Sequence, residues 1–461
     1  MASQTVTERI PNEIMRMILE RLEDWQDILS QCLVSKRFHD IARPLLFRDI
    51  SIGYYSIIPL TKIFFAQPNL AKEVQVLTVQ ITEMGLHNNY ERYCASIDAT
   101  EEQEKFLSEN PEGSFKRSAF EHLSKKVDPA FKMFWLAQFP DCQHDVYLAL
   151  LLTFLPNVEE LSFRFNSRPG SAESFLQLAF RTVAEKSESK GMLGKLKKLN
   201  IDHTRAASTP SSLVPLLATP SLEEINMRSL QALIIPLGTG FIAPNVTRVR
   251  LDVTAFNIPV ASAPVVAAII HACPRLASFG VGYFGLEDNF DSWLDTVCLA
   301  IREREGTLET FSLGTTVNDT AQKPARFDSL TGFAKLKNLQ VPEHLLLGYP
   351  PSGDAVKSLA SLLPSGLETL SLTNCTHEEL EPVISIVETG YKRLPILERV
   401  LVDFGTVADT HDDTVEELDG ALIELAEWYE DKMGVAFSWK MKTGDTDAAD
   451  VALDQLLEEN A

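Results

Sequence analysis

A six-residue phrase, repeated along most of the chain, restricts the fold more than any other feature. It consists of an apolar residue, two mostly polar ones, an apolar residue, any residue, then an apolar one. Copies begin at Val158 (VEELSF), Leu196 (LKKLNI), Leu222 (LEEINM), Val246 (VTRVRL) and Leu276 (LASFGV). Others begin at Leu308 (LETFSL), Leu336 (LKNLQV), Leu367 (LETLSL) and Leu397 (LERVLV). The steps between these nine starts range from 24 to 38 residues and average about thirty. VQVLTV, at Val74, is a candidate for an earlier copy. In each copy the last two apolar residues are one residue apart, so both face the same side of a strand. The residue between them faces the other, open side. Any amphipathic strand gives one such match. Nine at near-constant spacing are a pattern.

The intervals between phrases read as helices. Examples are VYLALLLTFL at residues 146–155, PVVAAIIHAC from Pro264 and SWLDTVCLAIRERE from Ser292. AVKSLASLL from Ala355 and PVISIVETGYKRL from Pro382 continue the series. A proline two or three positions ahead of the phrase recurs at Pro156, Pro220, Pro244, Pro274, Pro364 and Pro395. One strand plus one helix cannot bury its apolar face alone, whereas stacked neighbours build a continuous core. The arrangement resembles the leucine-rich-repeat family, which implies a solenoid with parallel strands on the concave side and helices on the convex side. The resemblance covers roughly 330 residues. It departs from the family in lacking the asparagine or cysteine that usually follows the third apolar position; only Asn374 falls near that place.

The expected fold class is therefore α/β, with the solenoid at residues 51–408 interrupted by a charged insertion at about 82–145. A second irregular stretch spans about 168–194. Residues 409–461 read as a capping helix, at about 413–433, and an acidic tail. That segment carries sixteen Asp and Glu against three Lys, so it supplies −13 of the net charge of −22.

The first fifty residues have a different rhythm. Residues 10–50 read IPNEIMRMILERLEDWQDILSQCLVSKRFHDIARPLLFRDI. Pro11 suits a first helical turn, where its missing N–H costs nothing. Ile14, Met17, Ile18 and Leu22 are expected to form one apolar stripe. Asp24 and Ser35 are positioned to cap a second and a third helix. The second would bury Ile28, Leu29, Cys32 and Leu33. The third would carry Phe38, Ile41, Ala42 and Leu45 and end near Pro44. Three short helices bury little surface, so such a module needs a packing partner.

Residues 7–50 resemble the F-box family. The opening pair and its following acid and aliphatic are matched by Ile10, Pro11, Glu13 and Ile14, and the start of the second helix by Asp27, Ile28 and Leu29. The phrase Val34, Ser35, Lys36, Arg37, Phe38 matches next, with phenylalanine where tryptophan is commoner. The ending RPLLFRDI is similar to that of many fungal members. The resemblance implies docking on a Skp adaptor that links to a cullin ligase core. The docking residues would be Ile10, Pro11, Ile14, Leu29, Val34, Ser35, Lys36 and Phe38. The competing reading is that Ile14, Leu29 and Phe38 are only intramodule core.

Little else in the chain points to chemistry. No Gly-rich phosphate loop, nucleophile elbow or HExxH motif occurs. The histidines are scattered, so no catalytic residue is assigned and no enzyme is expected. No cofactor or metal is expected either. Cys142 with His144 lacks a second ligand pair, and Asp409, His411, Asp412 and Asp413 read more simply as a solvated helix start. The six cysteines contain no CxxC pair, which fits reduced thiols in the cytoplasm or nucleus. A chain of net charge −22 is a poor partner for nucleic acid, and no apolar run is long enough for a membrane.

The open strand face is the expected target site. Its central residues are Ser162, Asn200, Asn226, Arg250, Gly280, Ser312, Gln340, Ser371 and Leu401. Arg228, Arg248 and Arg250 form a local basic group suited to an acidic or phosphorylated feature of a protein substrate. The alternative is that they pair with Glu224 and Asp252 nearby. Two functions follow: a substrate receptor of a cullin-type ubiquitin ligase, or a repeat scaffold whose helical module is only structural.

Overall fold

Each copy of the phrase folds into a strand, and the strands lie in parallel in chain order. The computed structural model describes residues 10–81 (except 23), 144–165, 193–203, 214–230, 242–255, 262–285, 290–315, 327–347 (except 328), 361–375, 393–406 and, in part, 422–442. The expected insertion up to residue 143, most of the 168–194 stretch, the helices from Ala355 and Pro382 and the tail beyond Lys442 lie outside the described residues. So does most of the capping helix.

The chain divides into two units, Met1–Val246 and Thr247–Ala461. The first contains β1 (Asp49–Gly53), β2 (Val76–Ile81), β3 (Glu160–Phe165), β4 (Lys198–His203) and β5 (Glu224–Leu230). The second contains β6 (Arg248–Ala255), β7 (Ser278–Gly285), β8 (Thr310–Thr315), β9 (Asn338–Pro342), β10 (Thr369–Thr373), β11 (Arg399–Thr406) and β12 (Ala436–Lys442). All described pairings are parallel. β1 and β12 pair on one side only, so the twelve strands do not close into a barrel.

The apolar positions of the phrase are the core. Leu161 and Phe163, Leu199 and Ile201, Phe311 and Leu313, and Leu370 and Leu372 are all buried, as is the first apolar residue of every copy but the last. Leu397 is half-buried. VQVLTV is a true copy: Val74 is buried just ahead of β2, and Leu77 and Val79 are buried on it.

One backbone device recurs at most of the described steps. The carbonyl of the second phrase residue accepts two N–H groups from the next copy. Glu159 O takes Lys197 N at 2.8 Å and Lys198 N at 3.0 Å; Ala277 O takes Glu309 N at 2.7 Å and Thr310 N at 2.9 Å. The first phrase residue closes a turn, as Leu276 N donates to Cys273 O at 3.2 Å and Leu367 N to Pro364 O at 3.2 Å. This explains the prolines, which suit a turn and need no N–H there.

Twelve strands exceed the ten counted from the phrase. β1 carries FRDISI from Phe47, which fits the same pattern but overlaps the end of the helical module. β12 escapes it because Gly434 stands at the first apolar position. Gly434 has φ +64°, a left-handed conformation that ends the preceding helical turn and that side chains disfavour. Asn374 also has positive φ, 55°, and its Nδ2 donates to Thr315 O at 2.9 Å, tying the end of β10 to that of β8.

Helices cover the apolar face within each unit. α1 (Asn12–Leu19), α2 (Trp25–Val34) and α3 (Lys36–Ala42) precede a 3-10 turn at Arg43–Phe47. α4 (Ile57–Ala66), α5 (Pro68–Ala71) and α6 (His144–Thr153) follow, and Thr61 Oγ1 of α4 donates to Tyr147 O of α6 at 3.2 Å. α6 is the expected buried helix, with Leu148, Leu150 and Leu151 fully covered. α7 (Val214–Leu217) completes the first unit. In the second unit α8 (Ser262–Ala272) packs on α9 (Phe290–Arg302), and α10 (Glu343–Leu347) follows β9. No described helix is long and apolar enough to cross a membrane. Cys32, Cys273 and Cys375 are buried free thiols, and burial pushes Cys273 up to about 12.

Candidate functional site

The N-terminal helices enclose a small core of Met15, Leu19, Cys32, Ala42 and Leu45, with Ile10, Leu22, Ile28, Phe38, Ile41 and Leu46 packed around it. This corrects the expected stripe on α1. Met15 and Leu19, one turn apart, face inward, while Ile14, Met17 and Ile18 face outward. α2 departs in the same way: Cys32 is buried and Ile28 partly so, but Leu29 and Leu33 are exposed. Both helices carry apolar residues on more than one face, so periodicity alone does not select the inner one.

The caps form as expected. Asp24 Oδ1 accepts Gln26 N at 2.8 Å at the start of α2. Ser35 Oγ accepts Phe38 N at 3.3 Å at the start of α3. Ser35→Ala is expected to cost about 1 kcal/mol in urea unfolding, and Ser35→Asp to recover most of it, because an N-cap needs only a short side-chain acceptor. Equal stability of all three forms would mean the cap contributes nothing.

Arg37 joins parts of the module distant in sequence. From the first turn of α3 its Nε donates to Asn12 Oδ1 at 2.8 Å and its second guanidinium nitrogen to Ile10 O. Ile10 and Pro11 are thereby held within an arginine's length of the Ser35–Lys36 junction. Of the eight residues singled out, Ile10 and Phe38 pack on the core. Pro11, Ser35 and Lys36 are exposed. Ile14 is 46% exposed, Leu29 41% and Val34 62%. Leu33, at 83%, and Trp25, Met17 and Ile18 add exposed apolar surface that residue pattern alone does not separate from core.

The module is fastened to the segment that follows it, between β1 and β2. Arg16 reaches Glu73 Oε2 at 2.9 Å as well as Glu20 at 2.9 Å. Arg43 donates to Gln67 Oε1 at 2.7 Å and Arg48 to Gln75 Oε1 at 2.7 Å. The Phe47 ring meets Phe64 of α4 at 5.8 Å.

The open strand face is polar in both units. In the first, Asn200 Nδ2 donates to Ser162 Oγ at 2.9 Å and Glu160 Oε1 at 2.6 Å, and Asn226 Nδ2 donates to Asn200 Oδ1 at 3.0 Å. In the second, Ser312 Oγ donates to Gln340 Oε1 at 3.1 Å. These are the residues expected between the paired apolar positions. The three arginines do not share a strand. Arg228 lies on β5 in the first unit, in register with Asp202. Arg248 and Arg250 lie in the second unit on one face of β6, both exposed, opposite Ser278 and Gly280. Asp252, on the same face, is half-buried.

Among known families, residues 7–53 match the F-box-like model. No curated protein matches the chain. The matched span takes in α1 to α3, the 3-10 turn and the whole of β1, so it runs into the strand layer.

Proposed function

We propose, on the strength of an F-box-like domain at residues 7–53, that this chain is a substrate-receptor subunit of a Skp–cullin–RING type ubiquitin ligase. The F-box-like helices bind the Skp adaptor, and the repeats, which we assign to the leucine-rich-repeat type, hold a protein target. The chain itself supplies no catalysis, and it works in the cytoplasm or nucleus. The observation that carries this reading is the apolar surface on a module so small. Leu33 and Val34 are 83% and 62% exposed at the α2–α3 junction, beside the exposed Pro11 edge that Arg37 holds. Exposed aliphatic anchors with an aromatic behind them are what a helical protein interface uses. The α/β repeats support the second half of the reading, since strands stacked in register leave a polar face open in each unit. We assign Arg228 in the first unit, and Arg248 and Arg250 in the second, to target recognition.

The test is capture of a purified Skp adaptor by the full-length chain, compared with a Pro11→Ala/Val34→Ala variant. Wild type should retain adaptor and the double variant should lose about tenfold or more in affinity, with unchanged helicity. No capture by wild type would instead make the chain a repeat scaffold whose helical module is structural.

A further inference from the structure

On β6 to β8 the open face is nearly bare at its centre. Gly280 and Gly282 stand on β7 and Gly314 on β8. The register places Arg250, Gly280, Ser312 and Gln340 in one row and Asp252, Gly282 and Gly314 in the next. Glycine inside a strand weakens it and packs nothing, so it recurs where a ligand or another chain comes close. At Gly280 and Gly314 local packing does not require it. Among the described residues, a Cβ at Gly314 would meet nothing within 4 Å, and one at Gly280 would meet Arg250 Cγ at 3.7 Å and Ser312 Cβ at 3.9 Å, ordinary contacts. None of the three has positive φ.

The rim of this floor is rich in donors. Arg248 and Arg250 are exposed on β6. On β9 the Gln340 oxygen takes the Ser312 hydroxyl, which leaves its Nε2 as the end that donates. Asp252, beside Gly282 in the next row, is half-buried. Two exposed guanidinium groups on a chain of net charge −22 run against the general trend. Strands lie about 4.8 Å apart and alternate residues about 7 Å apart, so the floor accommodates one or two residues of an extended peptide.

We propose that this glycine-floored trough seats an anionic side chain of an extended target peptide, carboxylate or phosphate, between the Arg248 and Arg250 guanidinium groups and the Gln340 amide. The proposal rests on the target-receptor reading and gives its target a chemical class. Guanidinium forks pair bidentately with both kinds of oxyanion.

The test uses full-length protein and labelled hexaglutamate, hexaphosphoserine and hexalysine peptides, followed by fluorescence anisotropy. At least one anionic probe should bind and hexalysine should not. If hexaphosphoserine alone binds, phosphate is the ligand; if both bind, carboxylate suffices. Arg248→Glu/Arg250→Glu should weaken the bound probe by about tenfold or more. Gly280→Val/Gly314→Val should weaken it similarly, because valine fills the floor while suiting a strand. Gly314→Val alone serves if the pair disturbs folding. Failure of both anionic probes to bind overturns the proposal. An arginine effect without a glycine effect overturns the trough as the seat. Adaptor capture, measured on the same variants, should not change; its absence in wild type would count against the ligase reading and leave the peptide result standing.

Discussion

Trp293→Ala is expected to destabilise the second unit by about 3–5 kcal/mol, as for other large aromatic deletions in a packed core. Trp293 is 1% exposed, in α9. Its ring lies 4.8 Å from Tyr283 of β7 and 6.0 Å from Phe290, and those two rings are 5.1 Å apart. Removing the indole therefore empties the middle of a three-ring cluster that fastens helix to strand. Burial also pushes the Tyr283 phenol above its ordinary range. Trp293→Phe makes the sharper comparison. The Trp293 Nε1 is buried with no hydrogen-bond partner among the described residues. Phenylalanine removes that polar group while keeping most of the ring, so its cost should be well below that of alanine. Urea unfolding followed by tryptophan fluorescence is unsuitable here, so circular dichroism should be used. Equal losses for Ala and Phe would show that the N–H contributes after all.

Leu19→Ala is expected to cost about 2–5 kcal/mol, which for the N-terminal helices is most of what holds them. Leu19 is 3% exposed and belongs to a core with five buried members among the described residues. A core that small has no reserve. The measurement is hydrogen exchange over α1 to α3: their amides should exchange far faster, while those of β7 and β8 should not. Met17→Ala is the control. Met17 is 57% exposed, and its removal should change stability by less than about 0.5 kcal/mol. A large Met17 effect with a small Leu19 effect would reverse the assignment of the inner face of α1. On the proposed function, Leu19→Ala also ends adaptor capture, through loss of fold and not of contact.

How much was legible in advance depended on how strictly each element constrains its residues. The strand phrase was read almost completely, down to which positions are buried, because side chains on a strand alternate between two faces and a half-covered sheet allows no slip. β1 was hidden by its overlap with the helical ending, and β12 by Gly434. The short helices were legible as helices, with caps at Asp24 and Ser35. Their orientation was not. Five of the eight α1 residues (Ile14, Met15, Met17, Ile18 and Leu19) are apolar, and a helix that is apolar over more than half its circumference can turn either part of that face inward. The arginines were legible as open-face residues, Arg228 beside the copy at Leu222 and the other two within the copy at Val246.

The amino-acid sequence by itself determined the repeat, the parallel order it demands, the residues that form its core and the likeness of residues 7–53 to an F-box. These rest on local periodicity and turn chemistry, which short segments carry within themselves. Tertiary structure alone decided that Met15 and Leu19 face inward while Leu33 and Val34 remain exposed, and that Gly280, Gly282 and Gly314 align as a bare floor beside Arg250. Both depend on which residues from distant segments arrive side by side, and that is set by how the faces of separate elements compete for burial.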